Sequence, residues 1–388
     1  MKKHSIQELK QLQALPLCEK VALTKKRIEE WVNAWGGSEN VFVSFSGGKD
    51  STVLLHLARE LYPDIKGVFY DTGLEYPELK AFIKTIGNVD IIKPKKTFKE
   101  VLNDYGYPVI SKEVSKAVQL SRRYLKYREV AWRTTPMTED IIITENKVWE
   151  AIKDICDQNT IPVGEGARSL ACLTGILTSK NKLDIRLYKN YKKHVPDNDI
   201  EIDRRSLRSQ YCLDKYLFLL EAPFNISDRC CFWLKKEPSR LYEKDTGKKR
   251  ITGLMASESR LRQQKWLLNG CNGYDLTKPV SNPMMFWTEN DILQYIYDNN
   301  LEIASIYGKI IPDCKNLGCF TTNGVKRSGC VYCLYGIHLE ESPNRLERLK
   351  VSHPNIYEWC MKPESQGGLG YKEKIDWLNE HGNLNIKY

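Results

Sequence analysis

Apolar and polar residues alternate along the early part of the chain in an ordered series of strand and helix patterns. Short apolar runs at 41–45, 65–71 and 88–94 predict three buried strands. Between them, residues 50–62 and 76–87 place apolar side chains at helical spacing. Strand–helix–strand–helix–strand at this spacing predicts two βαβ units, and hence an α/β fold with a doubly wound parallel sheet.

The rest of the chain shows three further patterns. Residues 5–35 predict helices, and residues 250–259 predict a strand that returns to the sheet. Residues 287–301 predict a helix capped by Thr288, with Asp291 completing a carboxylate capping box. The predicted segments are N-terminal helices at 1–37, a core at 38–110 and 215–340, a helical insertion at 111–214 and a helical C-terminal tail at 341–388.

Composition and charge narrow the class of protein. Of the 388 residues, 41% are hydrophobic and 28% are charged, which is typical of a globular chain. No run of 18 apolar residues occurs and the N-terminus is polar, so we expect a cytoplasmic protein without a membrane span. The net charge of +10 is compatible with a polyanionic partner. Twelve cysteines in such a chain predict metal ligands, redox thiols or buried packing rather than disulfides.

The loop Ser46-Gly47-Gly48-Lys49-Asp50-Ser51 stands where the first strand passes into a helix. Glycines there let backbone N–H groups approach an anion, and the start of a helix attracts negative charge. Lys49 adds a positive charge, and the Ser46 and Ser51 hydroxyls are candidate donors to phosphate. The loop is not a Walker A motif, because Val43 and Asp50 occupy positions where that motif requires glycine and Ser or Thr. The alternative is a tight turn with a solvated lysine.

Three motifs in order carry a resemblance to a known family. The loop resembles the PP-loop of the ATP pyrophosphatases, which cleave ATP between its α- and β-phosphates. "VFYDTGLEYPE" at 68–78 and "ITGLMASESRLR" at 251–262 resemble later signatures of the phosphoadenosine phosphosulfate (PAPS) reductase family. The resemblance implies an adenine nucleotide alpha hydrolase-like fold that binds ATP and Mg²⁺.

The resemblance also implies roles for individual residues. Lys49 and Asp50 are the implied catalytic residues: Lys49 neutralises charge on the leaving pyrophosphate, and Asp50 holds the metal or orients the loop. Asp71 follows the second strand, where open α/β sheets place ligands, although an aspartate there also caps turns. The implied nucleotide-binding residues are Ser46, Gly47, Gly48, Lys49, Asp50, Ser51, Asp71, Gly73, Gly253 and Arg262.

Departures from the family pattern favour ATP over PAPS as the substrate. The loop is complete, as in family members that use ATP, whereas the reductases usually lack the full loop. Met255 occupies the place of the first arginine of the later element, where Arg260 or Arg262 would have to replace it. The reductases also carry a tail motif Glu-Cys-Gly-Leu/Ile-His, and the tail of this chain offers only Cys360. These departures argue against sulfate reduction.

The predicted function is therefore cleavage of ATP to AMP and pyrophosphate, which adenylylates an acceptor for sulfur insertion. Relatives that share these features include the ATPases of DNA phosphorothioation and, more distantly, the tRNA thiolases. Two alternatives stay open: a sulfonucleotide reductase, and an ATP-gated iron–sulfur regulator that binds nucleic acid without turnover.

Four cysteines are candidate metal ligands. Cys330 and Cys333 have the two-residue spacing that lets two thiolates face one metal, whereas the adjacent pair Cys230-Cys231 is a weak signal by itself. In related adenylylsulfate reductases, such a Cys-Cys pair and a later Cys-x-x-Cys hold a [4Fe–4S] cluster. The resemblance therefore implies a four-cysteine metal site, with zinc as the alternative metal and buried packing as the alternative role. Cys314 and Cys319 receive no assigned role.

The predicted insertion contains two basic stretches. Residues 111–133 carry seven Lys or Arg and two Glu, and residues 180–194 carry six Lys or Arg and one Asp, so each has a net charge of +5. Aromatic side chains are interleaved, a pattern that suits single-stranded or distorted nucleic acid. The alternative is a solvated helical face. We expect DNA or tRNA as a partner, together with a sulfur-donor protein such as a cysteine desulfurase.

Overall fold

The computed structural model describes residues 4–122, 214–314 and 316–388. Its contacts divide the chain into two units, one comprising Met1–Phe98 and Cys231–Val331, the other Lys99–Cys230 and Tyr332–Tyr388. These units do not follow the predicted segments. The N-terminal helices belong to the first unit, and the C-terminal helices belong to the second.

A six-stranded sheet organises the first unit, in the order β3-β2-β1-β4-β6-β5. The strands are β1 (Val41–Ser44), β2 (Lys66–Tyr70), β3 (Val89–Ile92), β4 (Lys249–Ile251), β5 (Asn272–Gly273) and β6 (Val280–Ser281). All neighbours are parallel except β5, which runs antiparallel to β6. The predicted α/β fold is thus confirmed, with a mostly parallel sheet. The antiparallel edge was not predicted; the connection between β5 and β6 is too short for the crossover that a parallel pair needs.

The helices alternate with these strands and continue beyond them. They are α1 (Ile6–Gln13), α2 (Leu17–Ala34), α3 (Lys49–Leu61), α4 (Pro77–Thr85), α5 (Phe98–Tyr105), α6 (Glu237–Thr246), α7 (Arg260–Asn269), α8 (Glu289–Asp298), α9 (Arg345–Ser352), α10 (Pro354–Met361) and α11 (Tyr371–Gly382). Residues 112–122 are also helical, and a single π-helical turn, Phe232–Lys236, precedes α6.

The core of the first unit lies around β1 and α3. Val41, Phe42 and Val43 of β1 have no exposed surface, which agrees with a central strand buried on both faces. In α3 the predicted inward residues Val53, Leu54 and Leu57 are buried, whereas Leu61, at the last turn, is half-buried. The buried centre of the sheet therefore holds the end of β1 and the start of α3, which together carry the loop.

The start of α8 confirms the predicted cap. The Asp291 N–H donates to Thr288 Oγ1 at 3.3 Å, and the Thr288 N–H donates to Asp291 Oδ2 at 2.7 Å. This reciprocal pair satisfies two backbone groups that a helix start would leave unpaired. A two-stranded antiparallel hairpin of β7 (Ile310–Pro312) and β8 (Phe320–Thr322) follows α8.

The second unit is helical in the residues that the structure describes. Tyr371 at the start of α11 is fully buried, and its hydroxyl donates to the Tyr332 carbonyl at 3.0 Å. Of the predicted basic insertion, only 111–122 and residue 214 lie within the described residues, so its remaining basic and aromatic positions fall outside them. None of the described helices combines the length and apolar character needed to span a bilayer.

Candidate functional site

The loop between β1 and α3 has a backbone that requires glycine at Gly47. Its φ is +70°, in the left-handed region, and a Cβ there would lie 2.8 Å from the Ile83 side chain. Gly48 is extended and immediately precedes the first residue of α3, Lys49. The first turn of the helix therefore carries Lys49 and Asp50, and the helix begins one residue before the predicted start at residue 50.

Serine and threonine side chains tie the loop to itself. The Ser46 N–H donates to Ser51 Oγ at 3.1 Å, and the Ser51 hydroxyl donates to the Gly48 carbonyl at 3.0 Å. The Thr52 hydroxyl donates to the same carbonyl, also at 3.0 Å. Ser46 lines the adjoining cavity, whereas Ser51 is not among the lining residues. Ser51 thus braces the loop from within, whereas Ser46 lines the cavity with its hydroxyl 3.0 Å from Ser51 Oγ.

A cavity of about 580 Å³ opens beside the loop, and all of its lining residues belong to the first unit. Seven basic side chains line it, against four acidic ones. The basic residues are Lys49, Lys235, Lys236, Arg250, Arg262, Lys326 and Arg327. The acidic residues are Asp50, Glu75, Glu258 and Glu289. A concave site with an excess of positive charge at a helix start suits a small polyanionic ligand.

Lys49 is held by partners from two distant parts of the chain. Its Nζ lies 3.3 Å from Glu289 Oε1, at the first residue of α8. The same Nζ lies 5.5 Å from the centroid of the Tyr307 ring. The ammonium group is therefore placed at the cavity wall by a carboxylate and an aromatic face.

Asp50 stands in a crowded electrostatic environment. Burial raises the pKa of its carboxyl, the charge of Lys49 lowers it, and the negative charge of Glu289 raises it again. Arg262 and Arg327 are close enough to lower the pKa as well. A carboxylate that is costly to ionise beside several cations is typical of a functional site.

Arg260 and Arg262, the two predicted replacements for the arginine missing at Met255, differ in their placement. Arg262 lines the cavity and is paired with Glu258, whereas Arg260 is not among the lining residues. Arg327 lines the cavity, and the positive charges of Arg262 and Arg327 influence each other. Of the two predicted replacements, the structure brings Arg262 to the cavity, and Arg327 joins it.

Three further predicted binding residues differ in their placement. Gly253 approaches the loop closely, because a Cβ there would lie 3.2 Å from the Asp50 carbonyl oxygen. Asp71 Oδ1 lies 2.6 Å from Lys80 Nζ and accepts from the Gly73 N–H at 3.2 Å. Neither Asp71 nor Gly73 is among the residues that line the cavity. Their role in nucleotide binding stays a prediction.

The four candidate metal ligands divide between the two units, with Cys231 and Cys330 in the first and Cys230 and Cys333 in the second. In the first unit, burial raises the pKa of the Cys330 thiol, and the charge and hydrogen bond of Lys235 lower it. Within the described ranges, no three His, Cys, Asp or Glu side chains are arranged to hold a metal ion. Four thiolates suit either a cluster or zinc chemically, and four-cysteine ligation stays a prediction.

The sequence profile of the phosphoadenosine phosphosulfate reductase domain matches residues 40–134 and 179–325, which is more than half of the chain. The matched residues include the loop, α3, β2 and the 251–262 element. The chain belongs to the phosphoadenosine phosphosulfate reductase domain family.

This PAPS reductase-family protein is also similar to an archaeal protein and to a solved structure. It is 35% identical over 96 residues to an uncharacterized protein of Methanocaldococcus jannaschii, and the match spans 22% of this chain and 23% of that relative. A solved structure, phosphoadenylyl-sulfate (PAPS) reductase from Candida auris in a phosphate complex, is 12% identical with a TM-score of 0.33. That similarity covers 81% of this chain and 98% of the other.

The cavity of this PAPS reductase-family protein includes residues that the motifs did not indicate. Glu289, Tyr307 and Ser328 all line it, and none belongs to a family signature quoted above. One signal was available in the sequence: Glu289 directly follows the predicted helix cap at Thr288, and so had to stand at a helix start. Tyr307 lies in a short turn, and no local pattern marks it.

Proposed function

We propose that this protein is an ATP pyrophosphatase that cleaves ATP to AMP and pyrophosphate and thereby adenylylates an acceptor. The observation that carries the proposal is the complete Ser46–Ser51 loop, with Lys49 on the first turn of α3 at the wall of a basic cavity. The cavity volume of about 580 Å³ lies within the range of small-molecule sites.

In the proposed reaction, an oxygen of the acceptor attacks the α-phosphorus of ATP. The bond from that phosphorus to the bridging oxygen breaks, and pyrophosphate leaves with the electron pair. The amides at the start of α3 and the ammonium of Lys49 stabilise the negative charge of the leaving group. Catalysis is thus mainly positioning and charge neutralisation.

Two carboxylates are available for Mg²⁺. Asp50 and Glu289 both adjoin Lys49, and the charge of Glu289 is felt at Asp50. Mg²⁺ in nucleotide sites commonly takes one or two carboxylates, with phosphate oxygens and water as its other ligands. A bound triphosphate would therefore compete with Glu289 for the ammonium group of Lys49. The Glu289 carboxylate released from Lys49 would then be available as a ligand for Mg²⁺.

A nucleic-acid acceptor is the second part of the proposal. Its support is the pair of stretches with a net charge of +5 each at 111–133 and 180–194, and the resemblance to enzymes that insert sulfur into nucleic acid. DNA of the phosphorothioation type and tRNA are the two candidate acceptors. A sulfur-donor protein would then supply the sulfur that displaces AMP.

Product analysis tests the reaction. The full chain with ATP and Mg²⁺ is expected to form AMP and pyrophosphate, and Lys49→Ala to form neither. Lys84→Ala, at an exposed position of α4, is the matched control and is expected to keep full activity. Stimulation by DNA or by tRNA would identify the acceptor class. ADP and phosphate, or no turnover, would overturn the proposal in favour of a sulfonucleotide reductase or an ATP-gated regulator; binding of a sulfonucleotide then separates these two.

The iron–sulfur cluster is proposed separately, on the motif alone. Protein purified without oxygen is expected to contain iron and acid-labile sulfide, and a Cys330→Ser/Cys333→Ser variant to contain neither. Cys18→Ser, which changes an exposed cysteine, is the control. If the protein contains stoichiometric zinc and no acid-labile sulfide, the cysteines bind zinc and not an iron–sulfur cluster.

A further inference from the structure

Two hydroxyl groups that no motif indicates lie against the start of α3. Tyr307 ends the short helical turn Ser305–Tyr307, and Ser328 lies two residues before Cys330. The Tyr307 hydroxyl donates to Ser328 Oγ. A Cβ built on Gly48 would lie 3.5 Å from each of these two oxygens. Both hydroxyls therefore adjoin the residue that precedes the helix.

Burial raises the pKa of the Tyr307 hydroxyl to about 12, whereas the Ser328 hydroxyl and the backbone N–H of Lys49, at the start of α3, act to lower it. The hydroxyl therefore stays protonated at neutral pH. Only 1% of the Tyr307 surface is exposed, and the residue lines the cavity.

The two hydroxyls form a relay with a direction, because the Tyr307 hydroxyl donates to Ser328 Oγ. The proton of Ser328 is not used in that bond and remains for a group in the cavity, which Ser328 lines. A hydroxyl that accepts one hydrogen bond is polarised by it, so the bond from Tyr307 makes the Ser328 hydroxyl a stronger donor.

We propose that Ser328 binds a phosphate oxygen of the nucleotide beside the loop, and that Tyr307 positions the Ser328 hydroxyl for that bond. The ligand class is a nucleotide pyrophosphate group or inorganic pyrophosphate. The inference rests on the proposed function, because it adds a donor to the same phosphate site. It also explains why the ring of Tyr307 lies under Lys49: one residue orients a hydroxyl and an ammonium toward the same anion.

The test is calorimetric titration of the full chain with inorganic pyrophosphate and Mg²⁺. Ser328→Ala is expected to weaken binding about 10- to 100-fold, the range for a hydrogen bond to a charged group. Ser328→Thr keeps the hydroxyl and is expected to keep the affinity. Tyr307→Phe removes only the oxygen and is expected to weaken binding as well. The double variant is expected to lose no more than Ser328→Ala alone, because the two residues act as one relay.

Matched control variants distinguish the loss of a phosphate contact from a general effect of removing a hydroxyl group. Ser305→Ala removes an exposed hydroxyl from the same turn, and Tyr297→Phe removes one from an exposed tyrosine; both are expected to bind normally. Adenosine, which has no phosphate, should bind equally to the wild type and to Ser328→Ala. If Tyr307→Phe does not fold, the comparison of Ser328→Ala with Ser328→Thr still shows whether the hydroxyl at position 328 binds pyrophosphate.

Each outcome has one meaning. Wild-type affinity in Ser328→Ala, or equal losses in Ser328→Ala and Ser328→Thr, overturns the relay. If the wild type binds pyrophosphate, Lys49→Ala does not and Ser328→Ala is unchanged, only the inference fails. If the wild type binds neither pyrophosphate nor ATP, the proposed function itself fails.

Discussion

A buried ion pair places the start of α8 against α2. Lys20 Nζ lies 2.7 Å from Asp291 Oδ2 and 2.9 Å from Asp291 Oδ1, and both residues are buried. Asp291 Oδ2 also accepts from the Thr288 N–H and hydroxyl, at 2.7 and 2.8 Å. Glu289, which pairs with Lys49, stands between Thr288 and Asp291. Lys20 thus stabilises the turn that brings Glu289 to the cavity.

Lys20→Met is expected to destabilise the first unit by about 3–5 kcal/mol, the cost of removing one partner of a buried pair. The loss is large because the Asp291 carboxylate stays buried and loses two of its four hydrogen bonds. Domains are stable by roughly 5–15 kcal/mol, so the change consumes a large share of that stability. Because Glu289 is tied to the same turn, the affinity for nucleotide is expected to change as well.

Urea denaturation followed by tryptophan fluorescence measures this loss. Trp287, one of nine tryptophans, is buried and its Nε1 donates to Thr24 Oγ1 at 2.8 Å, one turn after Lys20 on α2, so its exposure on unfolding contributes to the change in emission. Lys25→Met is the matched control, because the Lys25–Glu60 pair at 3.4 Å is only partly buried and is expected to contribute about 0–1 kcal/mol.

A double variant tests whether the unpaired Asp291 carboxylate causes the loss of stability. Lys20→Met/Asp291→Asn removes both charges and keeps an amide oxygen for Thr288, so it is expected to be more stable than Lys20→Met alone. The reasoning is refuted if Lys20→Met costs no more than Lys25→Met, or if the double variant is the less stable of the two.

Three further predictions follow from single contacts. Gly253→Ala is expected to weaken nucleotide binding, because its Cβ would press on the Asp50 carbonyl oxygen at 3.2 Å; Gly87→Ala, which meets nothing within 4 Å, should leave titrations of ATP unchanged. Burial raises the pKa of Asp50, so the pH profile of ATP cleavage should fall on its acid side at a higher pH than for an exposed aspartate; an acid limb at the ordinary aspartate value would contradict this. Tyr107→Phe is expected to destabilise the second unit by about 1–3 kcal/mol in denaturation experiments, because the Tyr107 oxygen lies 2.7 Å from both Glu364 Oε1 and the Leu369 carbonyl oxygen, which share its one proton; unchanged stability would speak against it.

Features with a short-range cause were predictable from the residues alone. The alternation of β1, α3, β2, α4 and β3 follows from apolar periodicity within windows of a few turns. The cap at Thr288 depends only on neighbouring residues. For this reason the position of the loop between the first strand and the next helix could be predicted correctly, although the helix begins at Lys49 and not at residue 50.

Partners of these residues could not be predicted in the same way. Lys49 meets Glu289 across 240 positions, and Lys20 meets Asp291 across 271. Tyr307 and Ser328 reach Gly48 from a turn and a loop that carry no periodic pattern. Asp71, at the end of β2, pairs with Lys80 and is not among the residues that line the cavity, although its strand position suggested a ligand.

The elements were predictable and their partners were not because the forces that determine them act over different distances along the chain. Strand, helix and cap preferences arise from each residue's own backbone and its near neighbours, so a linear pattern records them. Which carboxylate faces Lys49, and which hydroxyl adjoins the helix start, depends on where distant segments return after the sheet has assembled. Only packing among β1, α2, α3 and α8 brings those groups within hydrogen-bonding distance.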